Sequence, residues 1–167
     1  TSTDQRWMTL ALEVGRRARV WSAPNPAVGC AIVRDDALLS SGFTHPAGQA
    51  HAEVHALSQT SDAVGATVYV TLEPCPMCAG AIVHARLRRV VFGCPDPKCG
   101  GAGGLVNLLQ MPELNHRCLT TSGILAEECA AMLKDFFRAR REGDGLFFQP
   151  MKIFAAVFLL AAVATQA

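Results

Sequence analysis

Two short segments, His51-Ala52-Glu53 and Pro74-Cys75-Pro76-Met77-Cys78, constrain this chain more than any other part of it. Together they offer one imidazole, two thiolates and a carboxylate. An imidazole and two thiolates make three ligands for zinc, and the carboxylate beside the histidine is left over for proton transfer. A structural zinc site fills all four positions with side chains. Three protein ligands leave the fourth to water, and such an open site brings the water's pKa to about 7. Any fold of this chain must therefore carry both segments to one point. Cys-x-x-Cys alone is ambiguous, because a redox pair or half of a zinc knuckle has the same spacing. A redox pair needs no distant His-x-Glu. The combination points to a catalytic zinc ion, one per chain, held by His51, Cys75 and Cys78, with Glu53 as the acid–base group.

Local sequence suits this reading. A helix is expected to start at about His51. Residues 66–72 are rich in β-branched side chains and predict a buried strand. Pro76 fits the first turn of a helix running to about Arg86. Both half-sites then fall at helix N-termini, where the macrodipole favours thiolate over thiol. His55 shares a helix face with His51 but reads as a packing or surface histidine. His45, His84 and His116 lack ligand-like spacing; His45 lies just ahead of the metal helix, within reach of a pocket.

The remaining pattern alternates strands with helices. Thr3 or Asp4 can cap a helix to about Val20, with Trp7, Leu10, Ala11, Val14 and Ala18 on one face. Pro24-Asn25-Pro26 breaks it. Residues 27–33 and 37–43 read as a hairpin around Arg34-Asp35-Asp36. A strand is expected at 89–93, a Gly/Pro loop at 94–104, a short helix at 105–110 and an edge strand at 117–120. Ser122 is placed to cap a long helix over 123–141, acidic at its start and basic at its end. This alternation implies an α/β fold with a mostly parallel sheet covered on both faces.

The 167 residues suffice for one ordinary domain, here 1–141. Only 17% of residues are charged and 50% are hydrophobic, so apolar surface is expected to be covered in an oligomer, most simply a homodimer. Seven cysteines are an odd number for a secreted disulfide framework. Cys30, Cys94, Cys99, Cys118 and Cys129 read as small buried residues, Cys94 and Cys99 being also the candidates for a second metal pair. A reducing cytoplasm fits. Residues 1–73 carry five basic and seven acidic side chains, whereas residues 84–141 carry nine and five. The late cations Arg138, Arg140 and Arg141, beside Phe136 and Phe137, have the make-up of an RNA contact: charge for phosphate, rings for stacking. Residues 142–150 read as a linker. Residues 151–167 look like a secretory signal peptide in an unexpected place, too short to span a bilayer comfortably and not expected to belong to the fold.

The His-x-Glu…Pro-Cys-x-x-Cys pattern is that of zinc nucleobase deaminases, and the chain resembles the cytidine-deaminase-like superfamily. Trp7-Met8, Pro24-Asn25-Pro26-Ala27-Val28-Gly29-Cys30 and the run from His51 to Leu57 make residues 5–73 similar to the diaminohydroxyphosphoribosylaminopyrimidine deaminase domain of riboflavin synthesis. Thr71 to Ala81, Asp96-Pro97-Lys98, Asn115-His116-Arg117 and the run from Gly123 to Arg138 make residues 67–141 similar to the bacterial tRNA-specific adenosine deaminase. The chain thus reads as a composite. The resemblance implies a three-layer α/β/α sandwich on a central mixed five-stranded sheet and a hydrolytic deaminase. It implies that Asn25 contacts the substrate and that Thr44 stands where the tRNA enzyme has its base-contacting Asn. Backbone near Ala52 and Pro74 is expected to hold the base. The preferred substrate is adenosine in a tRNA anticodon loop, with the riboflavin pyrimidine as the alternative. A non-catalytic zinc-stabilised RNA-binding module and an inactive chimera are the further readings.

Overall fold

β-Branched and apolar runs supply five strands in the computed structural model, which describes residues 2–142. Residues 143–150 of the expected linker and the apolar stretch 151–167 lie outside the described residues. β1 (Gly29–Arg34) and β2 (Ala37–Phe43) form the expected hairpin, with Asp35 and Asp36 both at positive φ in its turn. β3 (Thr67–Leu72), β4 (Arg89–Cys94) and β5 (Leu119–Ser122) complete a sheet of order β2-β1-β3-β4-β5. β1 runs antiparallel to both β2 and β3, while β3–β4 and β4–β5 are parallel. The sheet is therefore mixed. Half of its pairings are antiparallel, so the mostly parallel sheet read from alternation is corrected. A tight hairpin forces the first antiparallel pair, and parallel pairs need the helical crossovers that come only later in the chain.

Helices cover both faces. The helices α1 (Ser2–Ala18) and α4 (Ala126–Arg141) lie on one side, and α2 (Ala52–Ser58) and α3 (Pro76–His84) on the other. Alternate strand residues divide between them. Cys30, Ile32, Val68, Val70, Val90 and Phe92 pack with Ala52, Ala56 and Ile82 of α2 and α3. Ala31, Val33, Tyr69 and Val91 pack with Trp7, Met8 and Ala11 of α1 and with Cys129 and Met132 of α4. Two glycines set the spacing on either side. A Cβ at Gly29 would meet the Ala11 carbonyl and the Gly15 backbone of α1, and one at Gly42 would meet the α2 backbone at Ala52 and Ala56. Gly42 thus lets α2, which begins just after His51, lie directly against β2.

Several boundaries differ from expectation. α1 ends at Ala18, and β1 begins at Gly29. The expected short helix is a single 3₁₀ turn, Leu108–Gln110. Ser122 closes β5 instead of capping a helix. Gly123 and Leu125 at positive φ turn the chain, and α4 starts only at Ala126.

The chain divides into two units, 1–137 and 138–167; of the second, the described part is the last turn of α4 and Glu142. In the first unit Phe136 is 1% exposed and packs with Ala18 and Ala27. This corrects the expectation that Phe136 stacks on RNA: it is a core residue. Phe136→Ala is expected to cost about 3–5 kcal/mol of stability by removing a buried ring. An unchanged denaturation midpoint would contradict that placement.

Candidate active site

His51 and Cys75 occupy equivalent positions, each the extended residue immediately before a helix, α2 and α3 respectively. Cys78 lies in the first turn of α3. The His51 Nδ1 atom is 3.6 Å from the Sγ atoms of both Cys75 and Cys78. Tetrahedral zinc with bonds of about 2.1 Å to nitrogen and 2.3 Å to sulfur holds such atoms roughly 3.6 Å apart. The donor set thus fits zinc in type and in spacing. Among the described residues it is the one cluster of three or more metal-ligating side chains. The electrostatics agree. The Cys75 thiol is held down at about 5, chiefly because the Cys78 thiol donates to it, with the Cys78 N–H and His51 adding. The Cys78 thiol is pushed up by that same bond and by burial. One negative charge is comfortable here and a second is not, which is the condition a dication relieves.

Glu53, one residue into α2, is 4% exposed, and burial pushes its carboxyl above the ordinary carboxylate range. It borders a cavity of about 200 Å³ together with His51 and Cys75. Asn25 and Thr44 line the same cavity. The Thr44 N–H donates to the Val28 carbonyl at 3.0 Å, tying the end of β2 to the segment ahead of β1. The Asn25 side-chain amide makes no hydrogen bond within the described residues, although its backbone N–H bonds Ser22. That amide is available to a ligand.

Ala52 and Pro74 are both buried and neither lines the cavity. The Pro74 carbonyl accepts the Gly101 N–H at 2.6 Å and so holds a loop against the start of α3. Ala52 opens α2, where first-turn N–H groups have no intrahelical partner.

That loop carries the part of the site which the motifs do not announce. Glu73 is buried, and its carboxylate accepts the N–H groups of Asp96 (2.8 Å), Ala102 (3.0 Å) and Gly104 (2.8 Å). A Cβ at Gly100 would collide with that carboxylate. The loop is wrapped on Glu73, and this brings Asp96 and Cys99 into the cavity wall. Cys94 is buried and its thiol donates to the Thr71 carbonyl, whereas Cys99 is exposed, so the two form no metal pair. His55 is no ligand: its Nδ1 lies 3.1 Å from His45 Nε2 and accepts the Phe43 N–H. His45 stays outside the cavity lining. Phe137 is 42% exposed, edge-on to Phe136. Arg138, Arg140 and Arg141 are exposed in the last turn of α4.

Comparison with known proteins places this geometry. Residues 1–94 match the model of the cytidine and deoxycytidylate deaminase zinc-binding region. The tRNA-specific adenosine deaminase of Bacillus subtilis (strain 168) is 39% identical over 149 residues, covering 83% of this chain and 91% of that protein. Riboflavin biosynthesis protein RibD of Escherichia coli (strain K12) is also 39% identical over 149 residues, but the match spans 39% of its length. Among solved structures, Acinetobacter baumannii RibD superposes with a TM-score of 0.71 at 41% identity, over 83% of this chain and 40% of that one. A structure from a study of A-to-I editing by tRNA:A34 deaminases gives a TM-score of 0.68 at 31% identity, over 77% of this chain and 99% of that one. This chain therefore spans about two fifths of the RibD proteins that it matches. With those matches and a donor set that fits zinc, the chain belongs to the cytidine and deoxycytidylate deaminase zinc-binding family and is a hydrolytic deaminase.

Proposed function

We propose that this enzyme deaminates adenosine to inosine in a tRNA anticodon loop. The observation that carries this reading is the charge of the cavity. Of its eleven lining residues none is Lys or Arg, and three, Glu53, Glu73 and Asp96, are carboxylates. No lining side chain is a lysine or arginine to pair with a phosphate, so a base whose phosphates stay outside suits the cavity. A base within a polymer meets that condition. The similarity to tRNA-specific adenosine deaminases over most of their length supports the same choice.

Bound zinc supplies Lewis-acid activation of water at neutral pH. The rest is done by the chain. The carbon bearing the exocyclic amine gains an oxygen from water, and the amine leaves as ammonia. Glu53 takes one proton from the water and gives it to the adjacent ring nitrogen, then takes the proton left on that oxygen and gives it to the leaving amine; a raised pKa suits a group that must both accept and donate. Asn25 offers its free amide to the base edge, and Thr44 the lone pairs of its hydroxyl. Phe137 and the arginines Arg138, Arg140 and Arg141 are assigned to the RNA. We take the assembly to be a homodimer, because Val54 of α2 and Met77 of α3 are exposed apolar residues, and its compartment to be the reducing cytoplasm, where the free thiols persist.

The second reading is deamination of the riboflavin pyrimidine intermediate. It is favoured by the RibD-like segment, which puts Asn25, Pro26 and Val28 in the cavity wall. Product analysis separates the two. With anticodon stem-loop RNA and the riboflavin precursor offered in parallel, inosine is expected in the RNA while the pyrimidine is left unchanged. Turnover of the pyrimidine alone would reverse the assignment.

A further inference from the structure

The end of α1 leads directly into the cavity wall. Arg16 and Arg17 fill its last turn, Arg19 and Val20 follow, and Trp21 comes next. All five side chains are exposed, Val20 by 58% and Trp21 by 66%. Among the described residues none of the three arginines makes an ion pair. The backbone here is tightly wound. The Trp21 and Ser22 N–H groups donate to the Ala18 carbonyl at 3.0 and 2.9 Å, and the Asn25 N–H to Ser22 at 2.8 Å. Trp21 therefore stands four residues from the cavity-lining Asn25, no more than about 14 Å away. The segment is held from beneath by Ala18, Ala23 and Ala27 packed with Phe136. The exposed Phe137 ring sits against that same Phe136.

A helix macrodipole accounts for cations in a last turn. It gives no reason for an indole and a valine held out in water on a hydrogen-bonded turn. Three cations with no ion pair among the described residues, next to an exposed aromatic ring and a few residues along the chain from the cavity-lining Asn25, match what a single nucleic-acid strand requires: phosphate contacts plus a stacking surface. We infer that Arg16, Arg17, Arg19 and Trp21 form the platform for the single-stranded RNA flanking the target base. The arginines hold its phosphates, and Trp21 stacks on a neighbouring base. This rests on the RNA reading proposed above and adds to it a second contact surface, on a different element from the α4 terminus.

The test compares the full-length parent, the triple variant Arg16→Gln/Arg17→Gln/Arg19→Gln, and Trp21→Ala. Binding of anticodon stem-loop RNA is measured across a salt series, with zinc content, kcat at saturating RNA, and light scattering alongside. The triple variant is expected to flatten the slope of log K against log salt by about two units, at roughly 0.7 per lost single-strand phosphate contact. Trp21→Ala is expected to weaken binding roughly ten-fold through lost stacking. In both, KM rises while kcat and zinc content hold. Unchanged affinity and slope would overturn the platform. So would a fall in kcat and zinc together, which would make the segment a mere support of the cavity. A change of oligomeric state at unaltered RNA affinity would overturn it too, marking a contact between copies of the chain or with another protein. RNA bound through these side chains without inosine formation would instead sink the substrate reading and leave the platform standing.

Discussion

Glu53→Gln is expected to keep its zinc and its fold and to lose turnover by about 10²–10⁴-fold, the usual worth of a positioned general acid–base group. Glutamine has nearly the shape of glutamate, so the tightly enclosed site at the start of α2 stays filled and the cavity keeps its walls. What disappears is a group able to bind and release a proton. Burial holds the Glu53 carboxyl above the ordinary range, and an amide has no titration to replace it. Loss of kcat with unchanged zinc content is the diagnostic pair. A variant that deaminates at the parent rate would mean that another group moves the protons.

Cys75→Ala and Cys78→Ala are each expected to abolish activity by removing the metal. Elemental analysis is expected to fall from about one zinc per chain to nearly none. The three donors come from the starts of two helices, so the ion also links α2 to α3. Because the ion binds the folded chain and not the unfolded one, chelation of the parent is expected to lower its thermal midpoint, and the two variants should start from that lowered value. Retention of zinc by either variant would remove that cysteine from the ligand set. Two zinc ions per parent chain would reinstate a Cys94/Cys99 site, which the bond from buried Cys94 to Thr71 opposes.

The metal triad is readable in the chain itself because ligand chemistry restricts residue type and each half-site is local: His51 precedes one helix, and Cys75 with Cys78 opens another. The strands are readable for the same reason, as compact β-branched runs. Glu73 is not. Its partners are backbone N–H groups of residues 96–104, which carry no side-chain label, and the glycines that pack on it look like any flexible loop. Asp96 and Cys99 become wall residues only through that wrapping. The mixed sheet is obscured because alternation reports where crossovers lie and says nothing of the β1–β3 pairing, which is antiparallel and joins strands with α2 between them. Phe136 shows a signal that was present but outweighed. Cys129, Met132 and Phe136 recur at helical spacing and are all buried, so the stripe puts Phe136 in the core and leaves Phe137 outside. The adjacent arginines draw both rings towards an RNA reading that suits only one.

Hydrolytic deamination at the Glu53 cavity is tested most directly by following the atoms. Anticodon stem-loop RNA is incubated with the zinc-loaded enzyme in water enriched in oxygen-18, and both the nucleosides and the ammonia released are measured. The account predicts inosine that carries one labelled oxygen for every ammonia released, and neither product from Glu53→Gln. Product without label, label without ammonia, or full product from the Glu53 variant would contradict it.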